Sequence, residues 1–177
     1  MPGAAARAEP AAAPARRGRD LRRLPPVLLP REGRILKGTA FIDGAARGNP
    51  GPAGWGAMLR TEAGERIAAW GFIGTNTNNV AEYGGLLAAL RLARDEGVTD
   101  LEIVSDSQLL VRQMLGEYRV KHPNLVPLFM EAQKMRRMFA GFRIRHVLRA
   151  ENKEADRLAN RAVDSRESGV ARNETDD

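Results

Sequence analysis

From Ile35 onward, apolar and polar residues recur with two different periods. The stretch ILKGTAFID alternates, with Phe41 and Asp43 on one face and Ile42 on the other, which predicts a strand closing at Asp43. GWGAMLR (54–60) and ERIAAWGFIG (65–74) read as two further strands, with TEAG between them as a hairpin loop. The period then switches. In residues 79–97, Val80, Leu86, Leu87, Leu90 and Ala93 form a helical stripe closed by Gly97. DLEIVSD (100–106) is a short strand and SQLLVRQMLG (107–116) a short helix. Residues 124–141 predict another amphipathic helix, with Pro127 tolerable only in its first turn. FRIRHVL (142–148) is a last strand. NKEADRLANRAVD (152–164) is a last helix with Ala155, Leu158, Ala159 and Ala162 facing inward. The order βββαβααβα predicts an α/β fold with a mixed sheet: an antiparallel meander, then strands joined through helices.

Composition narrows the chemistry. The 177 residues include no cysteine, which excludes disulfides, thiolate zinc sites and thiol nucleophiles. Two histidines, His122 and His146, leave little for a histidine-built metal centre or a serine triad. A metal here would be a hard cation held by carboxylates. No apolar run approaches membrane-spanning length, and no secretory h-region is visible, so the expected location is cytoplasmic.

Charge divides the chain. Residues 1–36 carry eight arginines against Glu9, Asp20 and Glu32, a net of +5, and the rest carries only +1 of the total +6. The arm is rich in Ala, Pro and Arg and is expected to be disordered. It shares the Arg-rich, acid-poor bias of a transit peptide but lacks Ser and Thr. It is read as a solvated linker that could add weak, salt-sensitive phosphate contacts. Residues 37–165 form the expected domain, and 166–177 a polar tail.

Four acids stand out. Asp43 closes a strand, where Asp-Gly also suits a turn. Glu82 follows Asn79 by three residues, a capping arrangement, yet it shares a helical face with Leu86, Ala89 and Ala93. Asp106 precedes a helix it could cap. Asp156 lies in a helix's first turns, where the macrodipole favours an acid. Each alone has a structural explanation. Together, two close strands at the sheet's carboxyl end and two begin helices that pack on it, the edge where ligands gather in open sheets. Converging carboxylates would raise one another's pKa unless cations neutralise them. Magnesium takes oxygen ligands and keeps waters for a phosphate to replace. Two such ions roughly 4 Å apart can assist phosphodiester cleavage.

The blocks FIDGAARGNPGPAGWGAML, TNTNNVAEYGGLLAAL, LEIVSDSQLLVRQMLGEY and HVLRAENKEADRLANRAV resemble, in order, the signature blocks of type 1 ribonuclease H, across about residues 37–165. The resemblance implies a ribonuclease H-like fold with a five-stranded sheet. It implies endonucleolytic cleavage of the RNA strand of RNA–DNA hybrids, leaving 5′-phosphate and 3′-hydroxyl ends. The implied site holds two magnesium ions, with manganese able to substitute, on Asp43, Glu82, Asp106 and Asp156. By motif position, Gly44, Asn49, Asn78, Asn79 and Gln108 approach the hybrid, whose 2′-hydroxyls and minor-groove edges suit amide groups. The partner implied is nucleic acid, with no membrane, no inferable protein partner and a monomeric state.

Two departures qualify the match. Many members carry a histidine in a loop before the last Asp, thought to help product leave. Here that loop is shortened and His146 falls inside a strand, so Arg149 is the candidate for that assistance. The spacing of 50 residues between Asp106 and Asp156 also leaves no room for the extra basic helix of some members, which points to the compact subfamily without that protrusion. Two other functions fit the same fold class: a 3′–5′ exonuclease, whose own blocks are not visible, and a catalytically silent hybrid-binding module, although no acid is missing. Activity on double-stranded RNA stays open.

Overall fold

The computed structural model describes residues 34–173. The basic arm expected over residues 1–36 therefore lies outside the described residues up to residue 33. Ten principal elements follow in chain order: β1 (Lys37–Ala46), β2 (Gly51–Thr61), β3 (Arg66–Asn76), α1 (Asn78–Asp95), β4 (Asp100–Ser105), α2 (Gln108–Met114), α3 (Val126–Arg136), β5 (Gly141–His146), α4 (Lys153–Ser165) and β6 (Gly169–Arg172). The sheet runs β5-β4-β1-β2-β3-β6. β1, β2 and β3 form the antiparallel meander, while β4 pairs parallel with both β1 and β5. The mixed α/β fold expected from the element order is present.

The sheet has six strands where five were expected. The added β6 comes from residues read as a polar tail. It pairs antiparallel with Ile67–Trp70 of β3, covering an edge that would otherwise present unpaired backbone groups. Gly169 sits where a side chain would collide with the Trp70 ring, and Arg172 meets Glu96 at 2.5 Å. Four residues of GVAR carry no periodicity of their own; the partner strand decides their conformation.

Alternation along β1 turns Gly38, Ala40 and Ile42 into the main core, and Lys37, Thr39 and Phe41 to the other face. The main core lies between the sheet and α1 to α3, built on Ile42, Leu59, Leu86, Leu90, Ile103 and Met114. A smaller one, with Met58, Trp70, Leu158 and Ala162, lies beneath α4 on the opposite face. Helices thus approach the sheet from both sides, and two glycines set how closely. A Cβ on Gly44 would meet the backbone of Glu82 and stand 2.7 Å from the Ala81 carbonyl carbon. One on Gly56 would meet the Ala155 carbonyl and lie 2.6 Å from the Ala159 nitrogen. α1 therefore rests on β1, and α4 on β2, at backbone contact. Between α2 and α3, residues 115–125 form no α-helix, in keeping with the compact subfamily.

Candidate active site

β1 does not stop at Asp43. It pairs with β2 through Ala46↔Ala53, while its pairing with β4 ends at Ile42↔Ser105. The small residues Gly44, Ala45 and Ala46 do not alternate in polarity, which hid the continuation; their pairing to β2 supplies it. Asp43 and Asp106 thus each stand one residue beyond the last rung of the β1–β4 ladder, side by side at the sheet's carboxyl end. Asp43 is buried and its Oδ1 accepts from the Gly44 amide at 2.9 Å.

The capping explanations for Glu82 and Asp106 fail. Thr77 caps α1, its Oγ1 accepting from the Val80 amide at 3.2 Å, so Glu82 lies beyond the capping positions and is 5% exposed. Ser107 caps α2, accepting from Leu110 at 3.2 Å. Each helix takes a hydroxyl cap close to the acid, so neither carboxylate caps its helix. One oxygen each from Asp43, Glu82 and Asp106 lies within 4.8 Å of the others.

Asp156 occupies the first turn of α4. The link that sets its distance from β1 is Asn152, 1% exposed, whose Nδ2 donates to the Ile42 carbonyl at 2.8 Å, one residue before Asp43. The Asp156 amide in turn donates to the Asn152 carbonyl at 3.1 Å. Asn152 was not anticipated; its signal in the sequence is a polar residue one helical turn ahead of an acid.

The acids line a cleft of about 420 Å³ together with Gly44, Ala45, Ala46, Arg47, Asn78, Ser107, Arg149 and Asn160. Of the expected hybrid contacts, Gly44, Asn78 and Arg149 lie in this cleft. Asn49 is exposed and its Oδ1 accepts from the Asn78 amide at 3.1 Å, tying the β1–β2 loop to the start of α1. Asn79 and Gln108 are exposed outside the cleft lining. Arg47 and Asn160 were not anticipated. Arg47 donates to Asn160 Oδ1 at 2.8 Å and to Asp164 at 3.0 Å, pinning the loop to α4. His146 ends β5, exposed, with Nε2 3.2 Å from the Asp106 carbonyl, to which it can only donate.

Burial, then the neighbouring Asp106 and Asp156, push Asp43 from 3.8 up to about 7, against the Gly44 amide that favours its charge. Burial, then Asp43 and Asp106, push Glu82 well above the usual carboxylate range. Glu82 Oε2 is buried and accepts no hydrogen bond. An oxygen-only cluster with a buried, unpartnered carboxylate oxygen fits a hard divalent cation.

The family described as Reverse transcriptase-like matches residues 41–162. The chain is 45% identical over 138 residues to the bifunctional protein Rv2228c of Mycobacterium tuberculosis, covering 77% of this chain and 38% of that one. It is 44% identical over 126 residues to ribonuclease HI of Halobacterium salinarum, covering 71% and 63% respectively. The chain thus spans less than two thirds of either relative. Among solved structures, the RNase H1 of Halobacterium salinarum superposes with a TM-score of 0.70 at 42% identity, over 73% of this chain and 98% of that one. LC11-RNase H1, in complex with an RNA/DNA hybrid, gives 0.66 at 36% identity, over 74% and 98%.

Proposed function

This chain belongs to the type 1 ribonuclease H family, and from that membership we propose that it is a metal-dependent endonuclease hydrolysing the RNA strand of RNA–DNA hybrids. The observation that carries the reading is the convergence of Asp43, Glu82 and Asp106 within 4.8 Å, with Glu82 Oε2 buried and unpartnered. The hybrid bound to LC11-RNase H1 supports nucleic acid as the partner.

Asp43 is the residue proposed to serve both cation positions, since it alone is flanked by Asp106 and Asp156. Glu82 and Asp106 complete one position, and Asp156 the other. Two magnesium ions, or manganese in their place, supply Lewis-acid stabilisation of the attacking and leaving oxygens when bound. Water adds to phosphorus and the bond to the 3′ oxygen breaks, leaving 5′-phosphate and 3′-hydroxyl ends. Glu82 is assigned to the neighbourhood of the RNA 2′-hydroxyl. Gly44 and Asn78 in the cleft, and Asn49, Asn79 and Gln108 outside its lining, are assigned to the hybrid's minor groove, where amides distinguish ribose from deoxyribose. Arg149 at the rim is the group assigned to help product depart.

Asp106→Asn tests this reading. The substitution preserves shape and removes one charge, so circular dichroism and hybrid binding should match wild type while magnesium-dependent cleavage falls by at least about 100-fold, the scale of lost electrostatic stabilisation. Wild-type cleavage rates in Asp106→Asn would sink the site assignment.

A further inference from the structure

The four acids are not held alike. Asp43, Glu82 and Asp106 converge within 4.8 Å, whereas Asp156 reaches the cluster only beside Asp43 and is also met by Arg149, Nη2 to Oδ1 at 3.4 Å. We infer that Arg149 is a counter-ion of Asp156 that an incoming cation must displace, so the cation position that Asp156 serves fills second, and only as the guanidinium swings away. The inference rests on the two-cation reading above.

The two partners differ in freedom. Asp156 is fixed through its backbone: α4 is docked on β2 at Gly56, and Asn152 ties the start of α4 to Ile42. Arg149 begins a single 3-10 turn, Arg149–Glu151, held by the Glu151 carboxylate accepting from the Leu148 amide at 3.1 Å. Its side chain, however, is 81% exposed, and Asp156 is its one ion-pair partner among the described residues. The arginine can therefore leave without disturbing the fold. A guanidinium left beside Asp156 opposes a divalent ion twice, by occupying a ligand oxygen and by like-charge repulsion. An exposed pair of this kind is weak, so the latch delays the second ion without barring it.

Charge and shape are separated by two variants. Free Mn²⁺ would be followed by electron paramagnetic resonance during titration of the full-length wild type, Arg149→Gln, Arg149→Lys and Asp156→Asn, without nucleic acid. Wild type should show a tighter and a weaker class of site. Arg149→Gln should leave the tighter class unchanged and tighten the weaker one by about three- to tenfold, while Arg149→Lys stays near wild type. Weaker-class affinity that is unchanged or reduced in Arg149→Gln, or a weaker class undetectable in both proteins, overturns the latch. A weaker class that survives Asp156→Asn overturns the two-cation assignment beneath it. The two failures are thus distinguishable.

Discussion

A buried carboxyl that holds its proton to about pH 7 makes the cation-free protein pH-sensitive, and Asp43→Asn isolates that effect. The folded carboxyl binds its proton more tightly than the unfolded chain does, with a pKa near 7 against 3.8. Its stabilising contribution is complete below about pH 4 and lost as pH rises through 7. At about 1.4 kcal/mol per pH unit, the interval corresponds to about 4 kcal/mol. Asn keeps an oxygen for the Gly44 amide and never ionises, so the variant avoids this loss, and Glu82 is relieved of its neighbour's charge as well. In urea denaturation with chelator present, Asp43→Asn should match wild type near pH 4. It should exceed wild type by up to about 4 kcal/mol at pH 8, or about 10 °C in Tm for a domain of this size. Added magnesium should reverse the order by stabilising wild type alone. A gain independent of pH, or a variant less stable than wild type at pH 8 in chelator, would refute the reasoning.

Two further substitutions probe the supports of the site. Gly44→Ala places a methyl against the backbone of Ala81 and Glu82; overpacking there should cost about 1–3 kcal/mol and slow cleavage at saturating hybrid, and unchanged thermal stability would contradict the close docking of α1. Asn152→Ala leaves the Ile42 carbonyl without its buried donor. A loss of about 1–3 kcal/mol is expected, with the weaker Mn²⁺ class reduced further than the tighter one, and equal effects on both classes would remove Asn152 from the positioning of Asp156.

The alternation of ILKGTAFID and the apolar run LEIV were enough to place Asp43 and Asp106 at one end of a sheet, because strand direction and side-chain period are local properties. The helical stripe from Leu86 to Ala93 likewise put Glu82 on a packed face. The caps were less legible. Thr77 and Ser107 take the role assigned to Asn79 and Asp106, since a shift of a residue or two in helix start exchanges one plausible capping residue for another. What the sequence could not reveal depends on distant partners. β6 exists because β3 has an open edge, Asn152 matters because Ile42 lies beneath it, and Gly44 is needed because α1 presses there. Asn49 accepts a hydrogen bond from the Asn78 amide, a contact across 29 residues that no motif spacing announces.

The activity proposed for this cleft is the cutting of RNA paired with DNA. Labelled RNA–DNA, RNA–RNA, DNA–DNA and single-stranded RNA substrates, each incubated with magnesium, manganese or chelator, address it most directly. The expected result is metal-dependent internal cuts in the RNA strand of the hybrid, with 5′-phosphate ends and no cuts in chelator. Hybrid binding without cleavage under both metals would contradict it and make the domain a recognition module.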